Sequence, residues 1–214
     1  MALDDPKFAA VLFDYNNRLE DEMKIMRDPD AMIEVDINSL LIPVGENVGR
    51  LMHALVIGLN AQVIVELGTS YGYSTLFLAD AARATGGMVY SYDVAADKQD
   101  YARQQLDRAG LTAHVEFRLG DAVELLDQQL GPVDFVLMDL WKDLYVPCLR
   151  RVAPLLGPSG TIVADNMTYP PATRAQAEAY RLAVRAMPDM EAAMLPIGSG
   201  IDVAVRQSFA TTGS

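Results

Sequence analysis

The chain has 214 residues, enough for one well-packed domain and too few for two of ordinary size. Its apolar fraction of 51% supports a substantial core, while a formal net charge of -12, from 17 Lys and Arg against 29 Asp and Glu, repels a polyanion and argues against nucleic acid as partner. The single cysteine, Cys148, excludes an internal disulfide, His53 and His114 are too far apart for a zinc pattern, and no apolar run reaches the roughly 20 residues that span a bilayer.

The start, Met1 to Pro6, has no basic region followed by an apolar stretch, so the sequence reads as a cytoplasmic chain with neither secretion nor membrane insertion. From Pro6 to Arg27, Phe8, Val11, Leu12, Tyr15, Leu19, Met23 and Met26 recur at three- and four-residue steps and predict a helix. Leu40 to Val44 is an apolar stretch leading to Gly45, and Val48 to Leu59 predicts a second amphipathic helix, so residues 1–60 read as a helical preface.

A strand, Gln62 to Leu67, then runs into Gly68, and a helix follows over Ser74 to Ala81 before Gly86-Gly87 breaks it. The alternation continues with strand Met88 to Tyr92, helix Lys98 to Ala109, strand Ala113 to Arg118 and helix Ala122 to Gln129. Strand Val133 to Met138, helix Leu144 to Leu156, strand Gly160 to Ala164 and helix Ala172 to Ala186 complete it. Two short strands, Ala192 to Pro196 and Ile201 to Arg206, finish the sheet's edge, and residues 207–214 read as a tail. Strands and helices alternating at this spacing predict an α/β fold, a mainly parallel sheet covered on both faces, in one domain with a core over 61–206.

Gly68 and Gly72 bracket the first strand-to-helix turn, where absent side chains let the main chain approach a ligand. A dinucleotide fingerprint has GxGxxG, and Ser70 stands where its second glycine belongs, which argues against a nicotinamide enzyme. Glu66 at the strand end suits a ligand carrying amino groups better than one carrying phosphates. Asp93 ends the second strand, placed either to accept bonds from a ribose or to sit in solvent; Gly120-Asp121 ends the third, flanking an adenine or, for Asp121, capping the next helix. Together these positions point to a bound adenosyl group.

Asp139 and Asp165 lie one strand-helix-strand crossover apart, so on neighbouring strands both carboxylates emerge at one sheet edge. Asn166 can join them only if the chain leaves the strand there, because consecutive strand residues face opposite ways. Two carboxylates and an amide oxygen are hard ligands suited to Mg2+ rather than zinc; acidic caps on separate surface loops are the alternative. Lys142, one of only four lysines, follows Asp139 by three residues beside Trp141. A nearby dication would favour its neutral amine, able to take a proton from a hydroxyl, whereas the bland reading is a solvated lysine paired with Asp143.

With the runs Glu66-Leu67-Gly68-Thr69-Ser70-Tyr71-Gly72-Tyr73-Ser74, Asp139-Leu140-Trp141-Lys142-Asp143-Leu144-Tyr145 and Ala164-Asp165-Asn166, the chain resembles the cation-dependent class I S-adenosylmethionine methyltransferases. Within them it is most similar to the catechol O-methyltransferases, over roughly Leu40 to Arg206. The resemblance implies a Rossmann-like, seven-stranded, mostly parallel sheet with an antiparallel last strand. It implies Mg2+ on Asp139, Asp165 and Asn166, with Lys142 as general base. Val44, Gly45, Gly68, Tyr71 and Ser74 would line the methionine part of the cofactor, Asp93 would hold the ribose, and Ala122, Val123 and Trp141 would border the adenine. Leu40, Ile42 and Pro170 would wall an aromatic ring, next to Trp141, Lys142 and Asn166.

Two positions depart from the family pattern. The substrate-clamping glutamate before the last strand has no match, an apolar residue falling near Ala193 unless Glu191 reaches in, and Leu140 replaces a histidine on the adenine side. The expected activity is Mg2+-dependent methylation of a small vicinal aromatic diol such as a catechol by S-adenosylmethionine; the alternative is a non-catalytic adenosyl-binding scaffold. The N-terminal helices would either cover the pocket or form a homodimer contact.

Overall fold

In the computed structural model, residues 5–33, 35–128 and 131–207 are described. The expected tail beyond 207 lies outside them, as do residues 1–4 and Gln129, the last residue of one expected helix.

Seven strands form one sheet in the order β3 (Val115–Leu119), β2 (Met88–Asp93), β1 (Val63–Leu67), β4 (Val133–Met138), β5 (Leu156–Ala164), β7 (Ile201–Arg206) and β6 (Met190–Leu195). The first five run parallel, and β7 is antiparallel to both its neighbours, as expected. From β1 the chain works outward through β2 to β3, then returns to place β4 on the other side of β1. A crevice opens at the carboxyl ends where the winding reverses, and both the glycine turn after β1 and Asp139 after β4 stand at that switch point.

The helices are α1 (Pro6–Arg27), α2 (Pro29–Met32), α3 (Glu46–Gly58), α4 (Tyr73–Thr85), α5 (Ala96–Ala109), α6 (Ala122–Leu126), α7 (Tyr145–Val152) and α8 (Arg174–Arg185). Alternation along the strands divides the core between the two faces. Ile64 and Leu137 pack with Phe8 of α1, Val48 of α3 and Phe77 of α4, while Val65, Leu67, Val136 and Met138 pack with Tyr145 and Leu149 of α7 and Tyr180 of α8.

The departures from the expected boundaries are local. Thr112–His114 makes a 3-10 turn and delays β3 by two residues; α7 ends at Val152 because Pro154 has no N–H to continue it, and Ala153–Leu155 tightens into a 3-10 turn. β5 begins at Leu156 rather than Gly160, with a register shift opposite Val133 to Phe135. The short α2 was not foreseen, and residues 40–44 carry no regular structure.

α1 is bound to the parts of the fold that matter for the site. Asp5 caps it by accepting Lys7 N–H at 2.8 Å, with Pro6 preset in the first turn. At its middle, the Tyr15 hydroxyl donates to the Tyr71 carbonyl at 2.5 Å, and the Arg18 guanidinium lies 4.0 Å from the Tyr71 ring centre while donating to Ser39 O at 3.0 Å. Beneath α3 and α4, buried His53 meets Asp80 at 3.0 Å and Arg83 bridges Asp80 to Asp5, joining three helices.

Candidate active site at the sheet's carboxyl edge

β1 ends at Leu67, and Gly68 turns with φ +103 so closely against the next strand that a Cβ there would lie 2.2 Å from Asp139 O. Asp139 N–H donates to Leu67 O at 2.9 Å, locking the glycine turn to the tip of β4. Ser70 at φ 44 and Gly72 at φ 86 complete the turn, and Gly72 starts α4. A small cavity lies between this turn and residues 41–44, lined in part by Ile42, Val44, Gly68, Ser70, Tyr71, Ser74 and Asp139.

Glu66 is placed otherwise than its expected ligand contact suggests. It is fully buried under the turn, where its carboxylate accepts from Ser74 Oγ at 2.6 Å, Thr75 Oγ1 at 2.7 Å and Ser91 Oγ at 2.6 Å. Burial pushes its carboxyl up to about 7 despite those three donors. It organises the turn from below, through a network continued by Thr69, Ser91 and Gln99.

Asp93, at the end of β2, accepts Ser70 N–H at 2.7 Å and Ala95 N–H at 2.9 Å, one on each carboxylate oxygen. A lone pair on each oxygen remains for a ligand. Asp121 caps α6 by accepting Val123 N–H at 2.7 Å, as the capping reading expects. Ala122 is buried and Val123 half-buried beside it.

Across the switch point, Met138 of β4 pairs with Ala164 of β5, so Asp139 and Asp165 are the next residues on adjacent parallel tips. β5 ends at Ala164, and Asn166 takes φ 54, so the chain leaves the strand where convergence required it to. Asp165 is 2% exposed and its Oδ1 is buried without a hydrogen-bond partner among the described residues. Burial raises Asp139 to about 6 and, with Asp139 adding repulsion, Asp165 to about 7. These are acids held close with too little positive charge to balance them. The donor set is all oxygen, two carboxylates and an amide, and the orphaned Oδ1 fits a hard divalent cation. Among the described residues no group of three or more His, Cys, Asp and Glu is placed to hold a metal ion, so a cation at this edge would need the amide as a third donor.

Lys142 is not the solvated lysine of the bland reading. It is buried, and its Nζ donates to the Tyr145 hydroxyl at 2.5 Å and to Asn166 Oδ1 at 3.3 Å. Burial lowers its amine to about 8, against the opposing pull of Asp139 and Asp165. Tyr145, the last residue of the run that begins at Asp139, is fully buried; its spacing of three from Lys142 at a helix start is the sequence signal for their contact.

The three expected substrate walls differ in exposure. Ile42 is half exposed at φ 38 and Pro170 is exposed, whereas Leu40 is buried and it is the following residues, Leu41 to Val44, that line the cavity. Trp141 is 65% exposed beside Asp139. Glu191 lies opposite Val205, three rows or roughly 10 Å along the strand from the Met194–Asp202 pair, which is level with Ala164 at the end of β5. That register sets the backbone of Glu191 back from the carboxyl edge where Asp139 and Asp165 stand.

Comparison with known proteins agrees with this architecture. Residues 65–167 match a family model described as a methyltransferase domain. The catechol O-methyltransferase of Niastella koreensis is 35% identical over 131 residues, 59% of this chain and 58% of that protein, so the match spans little more than half of that relative. Caffeoyl-CoA O-methyltransferase 2 of Populus trichocarpa is 30% identical over 179 residues, 74% of this chain and 72% of that protein. Among solved structures, the O-methyltransferase from Bacillus cereus in complex with SAH aligns with TM-score 0.70 and 26% identity, covering 89% of this chain and 91% of that one. The cofactor-bound Rv0187 from MTB aligns with TM-score 0.77 at 24% identity over 96% and 92%, which speaks for the fold. Identity at this level over nearly three quarters of two chains reaches beyond shared architecture, and the chain belongs to the class I, cation-dependent family of S-adenosylmethionine O-methyltransferases.

Proposed function

We propose that the protein is a Mg2+-dependent O-methyltransferase acting on a small vicinal aromatic diol. The observation that carries this reading is the convergence of Asp139, Asp165 and Asn166 beside a buried lysine at the edge of the glycine turn, with one Asp165 oxygen unpartnered. Adenosyl binding alone would need neither the paired acids nor the lysine. Catechol and the caffeoyl group, named in the relatives, are both 1,2-dihydroxyarenes, which supports a diol as substrate.

Asp139, Asp165 and Asn166 would hold the cation, and the glycine turn, Ser74 and Asp93 would hold S-adenosylmethionine. When bound, the two would supply an electrophilic methyl group and a dication that stabilises negative charge on the diol oxygens. Lys142 takes the phenolic proton, its amine kept near neutral by burial. Val44 and Ile42 form the wall of the cavity opposite the glycine turn. Most of the rate comes from positioning, for which effective molarities of about 10^5 to 10^8 M set the scale.

The test is release of S-adenosylhomocysteine over a panel of vicinal diols, including caffeoyl-CoA, with and without EDTA, and with product mass recorded. Methylated product that disappears with EDTA is expected; product formation indifferent to EDTA removes the cation, and cofactor binding with no product on any diol removes the activity.

A further inference from the structure

We propose that Tyr145 is a positioning residue that fixes the direction of the Lys142 amine; this rests on the reading of Lys142 as base. The phenol is fully buried and carries a single proton, which it donates to Met138 O at 2.8 Å, with Asp165 O at 3.2 Å as second acceptor. Either way the proton is turned toward the backbone, and the oxygen offers its lone pair to Lys142 Nζ at 2.5 Å. Asn166 Oδ1, 3.3 Å from the same nitrogen, accepts a second N–H. A neutral amine has two N–H bonds and one lone pair. With both N–H bonds directed at fixed acceptors, the lone pair has one tetrahedral direction left to it.

The hydroxyl is also well founded. It contacts the carbonyl of the residue before Asp139 and that of Asp165 itself, so the amine is referenced to the two strand tips that carry the acids. The Tyr145 ring packs edge-on against Tyr180 at 5.6 Å, which fixes the phenol independently of the lysine.

Tyr145→Phe keeps the ring and removes only the oxygen. We expect its kcat to fall on the order of 10- to 100-fold, the scale of a misdirected catalytic group, with KM for diol and cofactor within about twofold of the parent. Its affinity for S-adenosylhomocysteine by calorimetry should be unchanged. In a Lys142→Ala background the same substitution should have no further effect on residual turnover. An unchanged kcat, or the same loss in both backgrounds, overturns the proposal, the latter because tyrosine would then act through the strand tips. If Lys142→Ala itself turns over at the parental rate, the base assignment fails first and this role with it. Should Tyr145→Phe not fold, 3-fluorotyrosine at position 145 keeps the hydroxyl while weakening it as acceptor; lowered kcat at constant KM supports the role and an unchanged kcat sinks it.

Discussion

The carboxylate of Glu22 on α1 accepts the main-chain N–H of Leu41 at 2.6 Å, in a buried bond spanning nineteen residues of chain. Its other oxygen holds Arg18 at 2.6 Å, and Arg18 in turn covers Tyr71 of the glycine turn. One ion pair therefore fastens both walls of the cavity, the segment 41–44 and the turn, to a single helix. Glu22→Ala leaves a buried amide without acceptor, a cost of about 1–3 kcal/mol. Because that amide belongs to a cavity wall, we expect affinity for S-adenosylhomocysteine to fall roughly 5- to 100-fold, while Glu22→Gln, which keeps an acceptor oxygen, loses much less. Calorimetry on both variants checks this, and equal affinity for Glu22→Ala and the parent would separate α1 from the cofactor site.

Glu66 gives a pH dependence of stability whose sign is fixed by burial. Its carboxyl is raised from 4.5 to about 7 in the folded chain. Below about 4.5 both folded and unfolded forms are protonated. Between there and about 7 only the unfolded form releases the proton, so stability declines as pH rises through this window and the decline is complete above it. The displacement corresponds to about 3 kcal/mol. Glu66→Gln cannot ionise, so its melting temperature should gain on the parent by several degrees between pH 5 and pH 8. Parallel melting curves for the two proteins across that range would assign the dependence elsewhere.

The paired acids predict an opposition between stability and cation binding. With Asp139 and Asp165 both raised by burial, each ionised carboxylate strains the metal-free fold. Asp165→Asn should raise the melting temperature at pH 8 in EDTA by a few degrees, and should abolish the further rise that Mg2+ gives the parent. Thermal unfolding with and without Mg2+ measures both. An identical Mg2+ response in the variant would remove Asp165 from the donor set.

The central sheet was legible because buried parallel strands such as Val133–Met138 are nearly unbroken apolar runs, and because glycine and acidic residues mark where they stop. The convergence of Asp139 with Asp165 was legible for the same reason, since crossover length and strand pairing fix which tips are neighbours. Residues 39–45 were not, because Ser39 and Leu41 are held by Arg18 and Glu22 of α1 through contacts that leave no periodic trace. Glu66 illustrates a different loss. A carboxylate at a strand end looks alike in sequence whether it faces a ligand or three hydroxyls, and only the packing of α4 and β2 around it decides. The role of Asp121 as a cap is hidden for a related reason, being visible only as a bond to Val123 N–H.

Two glycines with positive φ near the cavity should respond unequally to substitution. Gly45 has φ 85 and ψ 157, a region essentially reserved for glycine, with open space around a built Cβ, so Gly45→Ala pays only for the backbone conformation, about 1–3 kcal/mol. Gly68 has φ +103, and its Cβ would meet the main-chain oxygen of Asp139 at 2.2 Å and the carbonyl carbon at 2.9 Å, neither of which can swing aside. Relief requires the turn and the β4 tip to part, breaking the bond from Asp139 N–H to Leu67 O and moving a proposed cation ligand with it. Gly68→Ala should therefore lose more than about 3 kcal/mol of stability and, where folded protein is recovered, both cofactor affinity and the Mg2+-dependent rise in melting temperature. Gly45→Ala should keep the Mg2+ response. Denaturant unfolding and thermal shift on the pair give the comparison; a Gly68→Ala protein with intact Mg2+ response would mean that the glycine turn and the acid pair are not mechanically joined.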